Sequence, residues 1–79
     1  MSQKPGVPVS ERAVIARINR KLKQDDEVLK ATRGERARLD LGDYHVVNYR
    51  GNYVAQMNCD PERLGRELGV LKPFEKVVP

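Results

Sequence analysis

Few residues of this chain could act as a nucleophile or as a base. Serine occurs only at Ser2 and Ser10, and the chain has one cysteine, Cys59, and one histidine, His45. A catalytic nucleophile needs a base within hydrogen-bond reach, so Cys59 and His45 are the pair to consider. Both fall in a predicted β-hairpin, where their side chains point to opposite faces. No catalytic residue is therefore predicted, and the chain is not expected to be an enzyme.

Cofactor and metal chemistry are not predicted either. A lone cysteine with a lone histidine cannot form an all-protein Cys/His zinc site. No spacing of Asp and Glu favours a catalytic carboxylate pair. The glycines stand at separate turns and helix ends, and none belongs to a phosphate-binding or dinucleotide-binding loop. We therefore expect neither a metal nor a small-molecule cofactor.

Cationic side chains are more informative because they are concentrated in the first half of the chain. Residues 1–38 have a net charge of +5 and residues 39–79 a net charge of −1, which agrees with the +4 of the whole chain. Clustered cations attract phosphate or acidic surfaces. The candidate nucleic-acid or anion-binding residues lie on one predicted helix: Arg12, Arg17, Arg20, Lys21 and Lys23. The alternative is a solvated outer face that keeps a small protein soluble.

The helix that carries these cations is the most clearly marked element. Ser10 is the predicted N-cap, and Glu11 follows where negative charge suits the helix dipole. The apolar residues recur at the spacing of one helical face: Val14, Ile15, Ile18 and Leu22. The cations spread over the opposite side. Residues 1–9, with two prolines and a glycine, are predicted to be a disordered N-terminal tail, and residues 10–79 a single domain.

A β-hairpin is predicted over residues 44–58. Both strands are rich in β-forming residues, and Gly51-Asn52 matches a two-residue turn. This register pairs Val46 with Met57 on the core face. The outer face carries a candidate interaction patch: Val47, Tyr49 and Val54. The patch could stack bases, seal a homodimer or meet another protein, or it could be covered by the C-terminal segment 70–74.

The remaining elements complete a small two-layer domain. Residues 27–33 are a predicted strand, and residues 35–43 are a loop, a helical turn or an early strand. A second helix is predicted to begin with Asp60 as N-cap and Pro61 at the first helical position, and to stop at Gly69. Val70, Leu71 and Phe74 are expected to fold back over the core. The predicted fold is α+β, helix–strand–hairpin–helix, with a three-stranded antiparallel sheet.

Length and composition set the class of protein. Seventy-nine residues allow one small domain, 33% of the residues are charged, and no apolar run approaches the roughly 18 residues of a membrane span. No export leader pattern is visible. We therefore expect a soluble, cytoplasmic protein without a membrane partner.

Two resemblances bear on function. The segments SERAVIARINRKL (10–22), LGDY (41–44) and RELGVLKPF (66–74), about a third of the chain, resemble short uncharacterised proteins carried on bacterial plasmids and integrative elements. That resemblance implies a bacterial, cytoplasmic setting and no particular activity. The order of elements is similar to that of the double-stranded-RNA-binding domain. That domain has a lysine-rich signature at the start of its second helix, where this chain reads Asp60-Pro61-Glu62-Arg63, which opposes that mode of binding.

Two hypotheses of function follow from these residues. The first is a non-enzymatic binding module whose basic N-terminal helix meets an anionic partner, above all nucleic acid. The second is a protein–protein interaction module or a homodimer that uses the outer face of the hairpin. Salt dependence separates the two hypotheses, because contacts with phosphates release counterions.

Overall fold

The elements are described in a computed structural model of the protein, which covers residues 6–79. They follow one another as β1 (Val7–Ser10), α1 (Glu11–Leu22), a 3₁₀ turn (Lys23–Asp25), β2 (Glu27–Ala31), α2 (Glu35–Leu41), β3 (Tyr44–Asn48), β4 (Tyr53–Gln56), α3 (Pro61–Glu67) and β5 (Glu75–Val78). Strands β2, β3 and β4 form an antiparallel sheet in that order, and β1 pairs with β5 in a parallel one. The predicted α+β fold with a three-stranded antiparallel sheet is confirmed.

Helix α1 forms where the sequence predicts it. The Ser10 hydroxyl accepts a hydrogen bond from the Ala13 amide at 3.1 Å, which satisfies one of the free donors of the first turn. Val14, Ile18 and Leu22 are buried along one side of the helix. The predicted cap and the predicted apolar face are both confirmed.

The core lies between α1 and the inner face of the three-stranded sheet. Leu29 of β2 and Val46 of β3 are directly opposite each other in the ladder, and both are buried. The buried apolar residues form one cluster: Val9, Val14, Ile18, Leu22, Leu29, Val46, Leu64 and Leu71. Side chains on the other sheet face, such as Val28 and Val47, are only half-buried. The sheet is therefore two-sided, with one face packed and one face open.

The register of the β3–β4 hairpin differs from the predicted one. The Asn48 side-chain oxygen accepts a hydrogen bond from the Gly51 amide at 2.8 Å, and residues 49–52 form a four-residue turn instead of a two-residue turn. Val47 consequently pairs with Val54 rather than with Gln56. Because this shift is two residues, and side chains alternate with a period of two, Val47 and Val54 remain on the outer face.

A β-bulge then changes the phase of β4. Val46 pairs with Gln56 whereas its neighbour Val47 pairs with Val54, so Ala55 is an extra residue in the ladder. An extra residue reverses the alternation beyond it. Met57, predicted to pack inward against Val46, is instead 57% exposed. The predicted core position of Met57 is wrong for this reason.

The two ends of the chain meet in the parallel β1–β5 pair. Val9 of β1 pairs with Val77, and Val9 is buried in the core. The prediction of a disordered tail over residues 1–9 is therefore wrong for Val7 to Val9, because pairing with β5 supplies the order that the local sequence lacks. Residues 1–5 lie outside the described part of the chain.

The helices after β2 differ in part from the expectations. Residues 35–43, for which three alternatives were open, contain helix α2. Helix α3 begins at Pro61 as predicted, but the Asp60 side chain makes no capping hydrogen bond. Gly69 has a φ of 76°, the left-handed conformation predicted for the residue that stops the helix. Leu71 is buried, whereas Phe74 is 56% exposed and does not cover the core.

No helix within residues 6–79 combines the length and the apolar character needed to cross a membrane.

Candidate anion-binding groove

The five candidate cations of the basic segment do not share one environment. Arg12, Arg20, Lys21 and Lys23 are exposed. Arg17 is half-buried, with 35% of its side chain exposed, and is held by the C-terminal part of the chain. Arg17 therefore differs in its surroundings from the other four cations.

Arg17 and Glu75 form an ion pair between α1 and the start of β5. Arg17 Nη1 donates to Glu75 Oε1 at 2.9 Å and to Oε2 at 3.1 Å, and it also donates to the Val70 carbonyl at 3.1 Å. The Lys72 amide donates to Glu75 Oε1 at 2.8 Å. The Glu75 side chain is 9% exposed, so its carboxylate is shielded from solvent, while Arg17 keeps 35% of its side chain exposed.

These hydrogen bonds change the acidity of Glu75. The hydrogen bond from Arg17, followed by the one from the Lys72 amide, holds the pKa of Glu75 below its ordinary value, because both donors favour the ionised carboxylate. The carboxylate is therefore charged at neutral pH, and its charge is already matched by Arg17.

A cleft of about 450 Å³ opens beside this ion pair. It runs between the C-terminal half of α1 and the segment that precedes β5. The residues that line it are Arg17, Arg20, Lys21, Gln24, Val70, Lys72 and Glu75. We call this cleft the groove. It contains four cationic side chains and one carboxylate, so its net charge is strongly positive.

The groove gathers some of the predicted residues and adds one. Arg17, Arg20 and Lys21 line it, while Arg12 and Lys23 are not among its lining residues. Lys72 lines it and was not predicted. The only signal in the sequence was the expectation that residues 70–74 fold back onto the core, which carries no information about which side of α1 they reach.

The cations of β2 and of the segment after it do not line the groove. Lys30 pairs with His45 on the sheet face opposite to Leu29, which packs beneath α1. Its side chain therefore points away from the helix. Lys30 therefore does not join the cations of residues 12–23 in one continuous positive surface.

The predicted interaction patch lies on the open face of the sheet. Val28 pairs with Val47, and Val47 pairs with Val54, so three valines make a row across all three strands. Tyr49 follows in the turn and is 53% exposed. Val28 was not included in the prediction. Its pairing with Val47 places it on the open face. The 70–74 segment, one of the covers considered, contacts α1 and β1 instead.

Cys59 and His45 are each engaged separately. His45 Nδ1 and the hydroxyl of buried Thr32 share a hydrogen bond of 2.7 Å. Cys59 packs against the core, and its amide donates to the Tyr44 carbonyl at 2.9 Å. Burial raises the pKa of the Cys59 thiol, which favours the protonated, unreactive form. The ring nitrogen of His45 is thus engaged by Thr32 and not by the Cys59 thiol.

Within residues 6–79, no three His, Cys, Asp or Glu side chains are grouped so as to hold a metal ion. Comparison of the chain with family models, with characterised proteins and with solved structures finds no match. Function is therefore inferred from the residues themselves.

Proposed function

We propose that this protein is a non-enzymatic module that binds nucleic acid through the groove. The observation that carries the proposal is the charge inventory of the groove. Its one carboxylate, Glu75, is matched by Arg17 at 2.9 Å, and Arg20, Lys21 and Lys72 remain as surplus cations on its walls. Surplus cations in a concave surface attract a chain of phosphates and raise its local concentration.

The placement of these cations favours a backbone over an isolated ion. Arg20 and Lys21 stand on α1, while Lys72 stands on the segment across the groove. A strand of nucleic acid along the groove contacts both walls, and each phosphate contact releases counterions. Arg12 and Lys23 are exposed on the same helical segment outside the groove and add to the positive field. The proposed contacts are to phosphate, so the binding has little sequence preference.

A salt titration with matched variants tests this proposal. Fluorescence anisotropy is measured with labelled, mixed-sequence oligonucleotides, single-stranded and duplex, between about 50 and 200 mM salt. Three phosphate contacts give a slope of log K against log salt of about −2 to −3. The variant R20Q/K21Q/K72Q should lose most of the affinity and most of the slope.

The control removes the same number of charges elsewhere. Lys30, Arg33 and Arg36 are exposed and do not line the groove, so K30Q/R33Q/R36Q has the same net charge as the groove variant. It should keep most of the binding. Absence of wild-type binding at the lowest salt, or equal losses in the two triple variants, would contradict the proposal.

A homodimer formed through the open sheet face is a second candidate, favoured by the valine row. Val28, Val47 and Val54 form an apolar row across the sheet, and Tyr49 in the turn is also exposed. A two-fold axis through such a row places the same residues of two copies against each other. Sedimentation velocity over a range of concentrations tests it. We expect a dimer in the wild type and a monomer in V47T/V54T; a wild type that stays monomeric at every concentration removes this candidate.

A further inference from the structure

Arg17 differs from the other cations of the groove in that its side chain is held in one orientation before any ligand arrives. We infer that Arg17 is a pre-oriented phosphate ligand, with Nη1 fixed by Glu75 and Val70 and with Nε and Nη2 left to bind two oxygens of one phosphate. This inference rests on the proposed function and names the group that the groove recognises. It also makes Glu75 a positioning residue.

The hydrogen bonds of Arg17 support this division of the guanidinium group. Every hydrogen bond that Arg17 makes within residues 6–79 uses Nη1, with Glu75 and the Val70 carbonyl as acceptors. A guanidinium group has five N–H donors in a rigid plane, and Nη1 carries two of them. Because Arg17 lines the groove with 35% of its side chain exposed, the donors on Nε and Nη2 are available to a ligand.

The chemistry of that free edge selects phosphate. Nε and Nη2 present two parallel N–H groups, whose spacing matches two oxygens of a phosphate or a carboxylate. Arg20, Lys21 and Lys72 supply the charge that a phosphodiester chain needs, whereas a single carboxylate would use only a part of it. A phosphate held by Arg17 therefore marks a fixed point along a strand that the flexible cations contact more loosely.

Glu75, which anchors the Arg17 side chain by hydrogen bonds, lowers the entropic cost of binding. A long, mobile side chain loses conformational entropy when a ligand immobilises it. Arg17 has already lost that freedom on folding, because Glu75 is itself held by the Lys72 amide at 2.8 Å. Removing Glu75 should therefore weaken the binding of phosphate, although the charge change alone would strengthen it. The loss of a negative charge favours an anion, but the loss of the anchor disfavours it.

Charge-conserving variants test the role of Arg17 with the same labelled single-stranded oligonucleotide. R17K keeps the charge and an ion pair with Glu75 but has no second edge, so its affinity should fall about tenfold. R20K should lose about twofold or less, because no residue within 6–79 holds the Arg20 side chain by a hydrogen bond or an ion pair. R36K, outside the groove, is the control and should bind like the wild type. Thermal melts confirm that each variant is folded.

Two variants of Glu75 test positioning. E75A should bind more weakly than the wild type despite its added positive charge, while E75Q, which keeps an acceptor for Arg17, should bind at least as well as the wild type. If the wild type binds and R17K matches R36K, or if E75A binds more tightly than E75Q, the inference is overturned and the proposed function stands. A wild type that does not bind at all overturns the proposed function itself.

Discussion

The groove beside α1 and the turn of the β3–β4 hairpin differ in how their charged side chains are held. In the groove, the Arg17–Glu75 pair is 2.9 Å long and its carboxylate is 9% exposed. At the hairpin turn, Arg50 lies 3.4 Å from Asp26, the residue before β2, and Arg50 is 83% exposed. A shielded pair with several hydrogen bonds has one geometry, whereas an exposed pair competes with water and with its own side-chain entropy. The groove therefore contains a cationic side chain of fixed orientation, Arg17, whereas the side chain of Arg50 is largely exposed to solvent.

The apolar residues on the two faces of the sheet differ in their burial. Val14 and Val46 are fully buried between α1 and the sheet, while Val54, on the open face, is 43% exposed. Burial free energy scales with the area removed from water, so the fold depends on the first set and little on the second. Substitutions on the open face should therefore cost less stability than substitutions in the core.

Two adjacent valines of β3 provide the largest expected contrast. V46A should lower the free energy of unfolding by about 2 kcal/mol, because it removes methyl groups from a fully buried position and leaves a cavity. V47A, on the half-buried open face, should lower it by less than about 1 kcal/mol. Urea denaturation of the two variants measures the difference. Equal losses would show that the open face is packed as tightly as the core.

The pH dependence of stability is expected to be larger on the groove side. A carboxyl group whose pKa is lower in the folded than in the unfolded state stabilises the fold above the unfolded-state pKa, and this contribution is lost as the pH falls through the folded-state pKa. Glu75 is such a group. E75Q should therefore be less stable than the wild type at neutral pH, and the difference should shrink in the acid range.

The control for Glu75 is Glu67, whose side chain is 59% exposed and forms a surface pair with Arg63. Melting curves of E67Q should follow those of the wild type at every pH. A constant difference between E75Q and the wild type from neutral to acid pH would mean that the titration of Glu75 does not contribute to stability.

Two tyrosines on either side of the hairpin give a smaller contrast. The Tyr44 hydroxyl donates to Glu11 Oε1 at 2.7 Å, and this hydrogen bond is the main cause of the raised pKa of Tyr44. Y44F should cost about 1 kcal/mol. Y49F, at a side chain that is 53% exposed, should leave stability unchanged. A cost for Y49F equal to that for Y44F in the same denaturation experiment would contradict the contrast.

The smallest effect is expected at the exposed ion pair. R50A removes the partner of Asp26 and should change the free energy of unfolding by no more than about 0.5 kcal/mol. R17A, which leaves the shielded carboxylate of Glu75 without its partner, should be the more destabilising of the two. The reverse order in denaturation midpoints would show that the groove pair contributes less than its geometry indicates.

The sequence was sufficient to predict an element whose cap and apolar spacing both lie within the element or directly beside it. Helix α1 could be predicted because Ser10 caps it and because Val14, Ile18 and Leu22 recur at the helical period. The faces of β3 were also predicted, since Val46 lies inside and Val47 outside. The pairing across the hairpin was not predicted, because the turn has four residues, with the Gly51 amide donating to the Asn48 side chain, and because β4 has a bulge at Ala55.

The candidate site was predictable only in part. The sequence placed Arg20 and Lys21 on the polar side of a helix, but it could not show that Lys72 would face them. That juxtaposition requires the C-terminal segment to return along α1, and it does so because β5 pairs with β1 and Leu71 enters the core. Contacts between residues more than fifty positions apart leave no periodic trace in the chain.

The amino-acid sequence by itself determined helix α1 with its apolar face, the two hairpin strands, the start of α3 and the excess of cations in the first half, because these follow from the spacing of neighbouring residues. Only the tertiary structure decided that Val7 to Ser10 is a strand, that Met57 is exposed and that Arg17 is held by Glu75. The strand and the ion pair depend on partners that are distant in sequence, and the exposure of Met57 follows from the bulge in β4. Such long-range contacts form, and stabilise the protein, only when the chain has folded.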